Sequence, residues 1–404
     1  MSSNRRNTTI LFACMIIVML GFGMIIPIMP FYVTSFGASG SAMGLLMATY
    51  GLMQLIFAPV WGGLSDRIGR KPVLVIGILG NALTQFLMGF STELWMLFAA
   101  RALAGVLSSA TLPTAMAFIS DSTSPEDRSA GMGKIGAAMG LGMVLGPGLG
   151  GWLAGHSLSL PFFVAGTLSL LLLVIVVAIL PESLPPERRV AAGRSMRGPN
   201  LRAMAQGLRG PLGYLFFLAA LFSFGLTNFE AIFGLYALQR FGYSAVQVGA
   251  VLMAIGLTSA FIQGMATGPV TRRFGEPKVI RAALLASALA FVLMLAATTF
   301  VAVLLTTCLF VLSNAMISPS VNSLVSQRAG REQGAALGLN NSFMSLGRVI
   351  GPIWAGTLLD VNLFLPYLSG ALVMFVGFLT TFRGFHGQPA GGEATTGILG
   401  SEQP

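Results

Sequence analysis

Three charged side chains stand inside long apolar segments, where an isolated charge is costly. Glu230 is flanked by Phe229 and Phe233, and Arg101 and Arg348 lie in two other apolar runs. A charge at such depth must be neutralised, paired or exposed to a water-filled cavity. A carboxyl group in an apolar setting can take up and release a proton near neutral pH, and its ionised form attracts cations. Glu230 is therefore a candidate for proton coupling and for binding a cationic substrate, with a structural hydrogen bond as the alternative.

The two arginines are candidates for acting on that carboxyl group. Arg101 could change the proton affinity of Glu230 or contact a substrate directly, and a purely structural role is the alternative. Arg348 lies at a depth at which it could pair with Glu230. Such an ion pair would persist until a proton neutralised the carboxylate.

Twelve apolar segments must position these residues. Of the 404 residues, 55% are hydrophobic and 9% are charged, whereas a soluble domain carries about 25% charged residues. Runs long enough to cross a bilayer alternate with short polar links, which predicts an all-α membrane protein with twelve transmembrane helices. The predicted spans are Thr9–Ser35, Met43–Leu64, Val73–Phe90, Leu94–Ser120, Ser129–His156, Leu160–Leu180, Leu212–Leu238, Val246–Thr271, Val279–Ala297, Phe300–Ser326, Gly334–Asp360 and Leu363–Phe382.

The basic residues predict the orientation of the chain. The formal net charge is +10, but the positive residues gather in the links that follow even-numbered spans, which argues against nucleic acid as a partner. The links after odd-numbered spans are nearly free of Lys and Arg, with Arg240 as the exception. By the positive-inside rule, both termini face the cytoplasm. Anionic membrane lipids are expected neighbours of the same basic links.

An internal repeat divides the chain into halves. The segment GGLSDRIGRKPV at 62–73 matches GPVTRRFGEPKV at 268–279, and Pro113 and Pro319 are separated by the same 206 residues. Two halves that meet about an axis along the membrane normal suit alternating access around a central site. The predicted parts are a six-helix bundle at 1–181, a cytoplasmic linker at 182–211, a second six-helix bundle at 212–383 and a disordered cytoplasmic tail at 384–404.

Two motifs connect the sequence to a known family. A G-x-L-x-D-R-x-G-R-K signature follows the second span, and G-x-x-x-G-P-x-x-G-G lies in the fifth. The chain thereby resembles the major facilitator superfamily, and the second motif is similar to that of its drug/proton antiporter branch. The seventh and eleventh spans resemble bacterial multidrug pumps of the NorA/Bmr type. The motif residues are Gly63, Asp66, Arg67, Gly69, Arg70 and Lys71 in the loop, and Gly142, Gly146, Pro147, Gly150 and Gly151 in the span.

Both motifs also have a physical interpretation. Asp66 could cap a helix end or meet the positive N-terminus of a neighbouring helix, and basic residues such as Arg70 could pair with Asp121. A cluster made in one conformation and broken in another acts as a latch, and the resemblance implies that this loop closes the cytoplasmic side. The alternative is that the basic residues of this loop only set the orientation of the helices in the membrane. The glycines permit close backbone approach and Pro147 bends the helix, although plain helix packing would also explain them.

Aromatic, methionine and amide side chains are candidates for the substrate pocket, because such surfaces adapt to varied apolar cations. The resemblance implies a second acidic residue in the tenth span, but this chain has Asn314 there, and an amide cannot exchange a proton in the working range. Asn314 therefore leaves two alternatives: either Glu230 couples alone, or the proton stoichiometry differs from that of a two-carboxylate scheme. The candidate lining residues are Phe22, Tyr50, Gln54, Arg101, Met143, Glu230, Phe233, Tyr236, Asn314, Asn340 and Phe343.

The resemblance implies a proton-coupled multidrug efflux antiporter in the bacterial cytoplasmic (inner) membrane, acting on lipophilic, often cationic molecules. Transport of one specific metabolite is the main alternative, and a non-transporting receptor or enzyme is a remote one. No phosphate-binding loop or catalytic constellation stands in the sequence, so we expect neither an enzyme nor a cofactor or metal. The expected partners are a small-molecule substrate, protons and membrane lipids, and the expected assembly is a monomer.

Overall fold

The computed structural model of the protein describes residues 3–189 and 201–385. Within these ranges every regular element is helical, which confirms the predicted fold class. The middle of the predicted linker and nearly all of the predicted tail lie outside the described residues. The helices are α1 (Ser3–Ser35), α2 (Gly40–Ile68), α3 (Arg70–Gly89), α4 (Leu94–Leu107), α5 (Thr111–Ser122), α6 (Pro125–Ala154), α7 (Leu160–Ile179), α8 (Leu201–Arg209), α9 (Gly213–Phe241), α10 (Ala245–Phe261), α11 (Thr267–Phe274), α12 (Glu276–Ala296), α13 (Phe300–Arg328), α14 (Gln333–Val361) and α15 (Leu365–Gly384).

Eleven helical segments in the described ranges are long and apolar enough to cross a membrane. The predicted fourth span is divided between α4 and α5 by a 3₁₀ turn at Ser108–Ala110, and the eighth between α10 and α11 by a π-helical turn at Ile262–Ala266. The predicted eleventh span is α14, which has 29 residues but is not among the eleven. Its length suffices for a bilayer, but its polar residues lower its hydropathy. These residues include Asn340, Asn341, Ser342, Ser345 and Arg348.

The described residues form two compact units. The first comprises the residues up to 189 together with Gly234–Gly256, and the second comprises residues 201–233 and 257–385. In the first unit α1 packs against α6 and α7, while α3 packs against α7. Side chains from α1, α3, α5 and α7 share one apolar core that includes Leu11, Ile78, Phe118 and Leu172.

Aromatic rings join three helices of the second unit. The Phe291 ring of α12 lies 4.5 Å from the Phe310 ring of α13 and 6.0 Å from the Tyr367 ring of α15, measured between centroids. Large apolar side chains on the outside of α12, such as Leu289 and Val292, are half exposed. This exposure suits a helix whose outer face is solvated by lipid rather than water.

The glycine motif of α6 allows two close helix contacts in the first unit. A methyl group built on Gly146 would lie 2.8 Å from the Cα atom of Gly23 in α1, which is closer than two carbon atoms can approach. On another side of α6, a methyl group on Gly151 would lie 3.1 Å from the Cα atom of Gly249. Glycine at these positions lets the backbones meet, as small residues do in membrane helix packing. Pro147 lies between them, inside α6.

Candidate functional site

An ion-pair cluster forms where α2 ends and α3 begins. The Arg70 guanidinium lies 2.6 Å from the Asp66 carboxylate (Nη1 to Oδ1) and 2.9 Å from Asp121 at the end of α5 (Nε to Oδ2). Arg70 Nη1 also donates to the Ser65 hydroxyl at 2.7 Å. Arg70 is buried, whereas the Asp66 side chain is 45% exposed. Arg70 of α3 thus joins α2 and α5 through its ion pairs with the two aspartates. Neutralising either aspartate would weaken the connection between these helices.

Glu182, which the sequence analysis did not single out, occupies the N-terminus of α3. Its carboxylate accepts hydrogen bonds from the backbone N–H groups of Arg70 at 2.9 Å and Lys71 at 3.2 Å. The carboxylate at the start of this helix is therefore Glu182, and Asp66 pairs with Arg70 instead. A carboxylate there is stabilised by the free N–H groups and by the helix dipole. The sequence signal that could have identified Glu182 is its position just after the sixth predicted span.

Gly69 makes room for this carboxylate. Its φ of +108° favours glycine, and a Cβ atom at this position would collide with Glu182 Oε2. Lys71 is held at the same place, because its Nζ donates to the Val177 carbonyl at 2.8 Å. The loop motif therefore contacts the end of α7 as well as α5.

Four predicted lining residues meet around one small cavity of the first unit. Phe22, Tyr50, Gln54 and Arg101 all line a space of about 40 Å³. The Phe22 and Tyr50 rings are 5.3 Å apart, and the Arg101 guanidinium carbon lies 5.4 Å from the Tyr50 ring centroid. Residues on α1, α2 and α4 are thereby brought together from three separate spans.

Polar residues of α3 line the same cavity and were missed by the sequence analysis. Asn81, Thr84 and Gln85 are buried, and Asn81 Nδ2 donates to Ser169 Oγ at 2.9 Å. Their spacing of three and four residues places them on one helix face. A polar face within an apolar helix is the signal that could have found them.

In the second unit, α9 and α14 are held together around Glu230. Ser223 Oγ donates to the Met344 carbonyl at 2.7 Å, and Thr227 Oγ1 to the Gly347 carbonyl at 3.2 Å. A methyl group on Gly347 would lie 2.7 Å from the backbone nitrogen of Phe224, so glycine is needed for this approach. These contacts fix the position of α14 along the axis of α9, the helix that carries Glu230.

Arg348 lies within electrostatic range of the Glu230 carboxyl group. Glu230 is partly accessible, and Arg348 is exposed on α14. Phe233, one turn from Glu230, is buried and lies 5.1 Å from Phe229, centroid to centroid. The acidic group therefore has buried aromatic residues near it on α9 and a cationic residue within electrostatic range, and an ion pair between Glu230 and Arg348 stays a prediction.

Asn314 is buried in a hydrogen-bonded position on α13. Its Nδ2 donates to Ser287 Oγ at 3.1 Å and to the Phe310 carbonyl at 3.1 Å, while its Oδ1 has no hydrogen-bond partner in the structure. In the first repeat, the residues 206 positions earlier are Asn81 and Ser108, whose side chains are 3.5 Å apart. Both repeats therefore hold an Asn–Ser pair at these two positions, with the Asn and the Ser exchanged between them.

The other predicted lining residues are not among those that line the cavity of the first unit. Asn340 donates to Asn322 Oδ1 at 2.7 Å, and Phe343 stacks on Phe216 with centroids 5.4 Å apart. Tyr236 accepts a hydrogen bond from Arg240, and Met143 lies on α6. Neither Tyr236 nor Met143 lines that cavity, so their role in binding stays a prediction.

The fold and the charges within its spans define a class of protein, the polytopic helical membrane transporters. The sequence model of the Major Facilitator Superfamily matches residues 11–352 and 215–397, and this chain belongs to that family. Multidrug resistance protein 2 of Bacillus subtilis (strain 168) is 32% identical over 379 residues, which cover 93% of this chain and 95% of the relative. The quinolone resistance protein NorA of Staphylococcus aureus (strain COL) is 28% identical over 368 residues, covering 91% and 94%.

Solved structures support the same fold. The human organic anion transporter MFSD10 (TETRAN) has a TM-score of 0.68 at 26% identity, and the match covers 94% of this chain and 99% of that one. The nucleoside transporter NupG has a TM-score of 0.77 at 16% identity, covering 95% and 99%. The NupG likeness shows only that the fold is shared. The family is one of transporters rather than enzymes.

Proposed function

We propose that this protein is a proton-coupled multidrug exporter, which expels lipophilic and often cationic molecules by alternating access. The observation that carries the proposal is Glu230, an acidic residue within a membrane-spanning helix beside Arg348. The relatives named as multidrug and quinolone resistance proteins span nearly the whole chain, which supports efflux of several drugs over uptake of one metabolite.

Glu230 supplies the coupling because one group serves two ligands. Its ionised form attracts Arg348 or a cationic substrate, whereas its protonated form attracts neither strongly. Proton and drug then compete, and one can be exchanged for the other in each cycle. The buried aromatic rings of Phe229 and Phe233 provide an apolar surface next to the charge.

The Arg70 cluster serves as the latch of one conformation. The pairs that Arg70 makes with Asp66 and Asp121 connect α2, α3 and α5 at one end of the spans. Opening on that side has to separate or rearrange these helices, so the cluster influences the rate of conformational change. Because the cluster lies at the helix ends and Glu230 within a span, a change at the latch is expected to alter turnover more than binding.

We place the protein in the bacterial cytoplasmic membrane, with both termini in the cytoplasm. The positions of the basic links support this orientation. The proposed working unit is a monomer surrounded by membrane lipids, whose anionic headgroups meet the basic links. Protons and small molecules are the only ligands that the transport cycle requires.

The test is a dye-efflux assay with purified protein reconstituted in vesicles under an imposed pH gradient. We expect movement of a lipophilic cation that depends on the gradient and stops when an uncoupler collapses it. Vesicles containing the Glu230→Gln variant provide the matched control, because the amide keeps the shape and removes the exchangeable proton. Transport that survives the uncoupler would refute proton coupling, and transport of one metabolite without any dye would favour a dedicated carrier.

A further inference from the structure

Arg101 is a buried charge that the proposed function leaves without a counter-charge. Its side chain is 1% exposed, and no carboxylate forms a salt bridge with it within residues 3–189 and 201–385. Its Nη2 atom lies 3.1 Å from the Met47 sulfur, and its Nε atom has no hydrogen-bond partner. The Arg101 guanidinium carbon also lies 5.4 Å from the centroid of the Tyr50 ring, over its face.

These contacts are weak compensation for an arginine away from water. A thioether sulfur is a poor acceptor, and a ring face offers only its quadrupole. A buried charge that lacks an ionic or hydrogen-bonded partner is strongly destabilising. An arginine at this depth therefore indicates that the counter-charge comes from outside the chain.

The cavity beside Arg101 has the size and the donors for a small anion. Its volume of about 40 Å³ accommodates two or three water-sized groups, since one water needs roughly 10–15 Å³ by this measure. None of its lining residues is acidic. The Thr111 hydroxyl and the Arg101 Nε–H both lack partners and can donate to an anion. The Gln85 Oε1 atom, also without a partner, can accept from a water bound with the anion.

We propose that this cavity is an anion subsite, which takes either the carboxylate of a zwitterionic substrate or a free halide ion. The first source rests on the proposed efflux function, while the second does not depend on transport. A guanidinium with one free N–H beside a hydroxyl is a suitable receptor for both. The second repeat offers no counterpart, because the residue 206 positions after Arg101 is Thr307, which donates to the Val303 carbonyl of its own helix.

The first experiment compares two forms of one dye. A cationic xanthene dye with a free carboxylate and the ethyl ester of the same dye share the cation and differ in the anion. Fluorescence polarisation with purified protein in nanodiscs gives a dissociation constant for each, and the acid-to-ester ratio is the readout. We expect Arg101→Gln to shift the ratio against the acid by about tenfold, the scale of one charge-assisted hydrogen bond. Arg101→Lys keeps the charge and is expected to restore part of the preference.

Two further variants make this comparison specific. Thr111→Val keeps the side-chain shape, and we expect a shift in the same direction of about threefold, since it removes one neutral donor. Arg209→Gln removes the same charge from an exposed position on α8, so it should leave the ratio as in wild type. If Arg101→Gln fails to fold, the Lys and Val variants still decide the matter.

The second experiment tests the halide directly. The thermal unfolding midpoint is measured at equal ionic strength in sodium chloride and in sodium isethionate, whose anion carries neither a carboxylate nor a halide. We expect a higher midpoint in chloride for wild type and for Arg209→Gln, and a smaller difference for Arg101→Lys and Thr111→Val. An anion that binds only the folded state stabilises it in proportion to its occupancy.

The outcomes separate the subsite from the transport function. A shifted dye ratio assigns the site to substrate carboxylates, and a chloride effect that requires Arg101 assigns it to halides. An unchanged ratio together with no chloride effect overturns the proposal. Wild-type protein that exports neither dye refutes the efflux function, and the chloride measurement then decides the anion subsite by itself.

Discussion

The loops at residues 62–73 and 268–279 occupy equivalent places in the two repeats but are held by different interactions. In each, a glycine with positive φ precedes a helix: Gly69 at +108° and Gly275 at +81°. After Gly69 comes Arg70, which pairs with two aspartates. After Gly275 comes Glu276, whose Oε1 atom accepts hydrogen bonds from two uncharged donors, Ser323 at 2.9 Å and Gln327 at 3.1 Å.

The difference shows how a duplicated unit becomes specialised. Gln327 is 206 positions after Asp121, so a charged partner in one repeat is an amide in the other. The backbone geometry of the loop is shared, whereas the ion pairs of Arg70 with Asp66 and Asp121 are a feature of the first loop. Because both donors to Glu276 are uncharged, no ion pair has to break when they separate, and we expect the latch to be confined to the first loop. The predictions below test this division between the repeats.

The largest expected effect concerns Glu230, the acidic residue within the span formed by α9. Glu230→Gln should reduce proton-driven efflux to the level of empty vesicles, because the amide cannot exchange a proton. The measurement is dye efflux against an imposed pH gradient. Glu332→Gln, at an exposed position, is the matched control and should transport normally. A Glu230→Gln protein that still pumps would move attention to Asp66 or Asp121.

Neutralising the latch is expected to have the next largest effect. Asp121→Asn removes the negative charge of one partner of the buried Arg70 guanidinium and should lower turnover by about tenfold, the scale of a lost charged hydrogen bond. Substrate binding at equilibrium should change by less than about twofold, because the cluster lies at the helix ends. Transport rate and binding must be measured on the same preparation.

Asp66→Asn neutralises the other aspartate that pairs with Arg70, and its effect on turnover can be compared with that of Asp121→Asn. The Asp66 side chain is 45% exposed, compared with 26% for Asp121, and exposed ion pairs contribute less. We therefore expect a smaller loss of turnover than for Asp121→Asn. An equal loss of turnover and binding in either variant would argue against a latch.

Alanine variants of the two loop glycines, Gly69 and Gly275, distinguish the cost of backbone strain from the cost of a side-chain collision. Alanine at either position is disfavoured, because both combine a positive φ with an extended ψ, 162° at Gly69 and 147° at Gly275, a region that costs a residue with a Cβ atom about 1–3 kcal/mol. Gly69→Ala should cost more, because its Cβ atom would meet the Glu182 carboxylate, whereas the nearest atom at Gly275 is Pro277 Cδ at 3.9 Å. Thermal unfolding of both variants measures the difference. Equal midpoints would show that Glu182 moves aside without cost.

Asn314→Asp tests whether a second acid alters coupling. The new carboxylate would lie beside Ser287, and we expect transport to continue with a changed pH dependence. If the two carboxyl groups interact, cation binding should titrate in two steps instead of one. Binding measured against pH for wild type and variant checks this expectation, and identical profiles would show that the positions are independent.

The smallest effect is expected at Glu276, the residue after the second loop glycine, whose hydrogen-bond donors are uncharged. Glu276→Gln retains an acceptor oxygen for Ser323 and Gln327, so turnover should remain within about twofold of wild type. Asp121→Asn is the comparison, since it removes one negative charge from the other repeat. A loss as large as that of Asp121→Asn would mean that both loops act as charged latches.

The sequence by itself determined the membrane class, the repeat and the family. Apolar runs of bilayer length and the 206-residue offset are properties of the chain that need no knowledge of packing. The motifs around Asp66 and Gly146 were specific enough to indicate the superfamily, and the family match agrees with them. The polarity of α14 was visible too, although its length alone identified it as a span.

The tertiary structure decided which of these residues meet. Glu182 reaches the N-terminus of α3 across 112 residues of sequence, and Asn81 lines a cavity with Arg101 through the packing of α3 beside α4. Hydropathy depends on neighbours along the chain, whereas these contacts depend on the rotation and height of each helix against its partners. For that reason the sequence predicted Arg101 as a functional charge, and only the packed helices revealed a cavity without a carboxylate beside it.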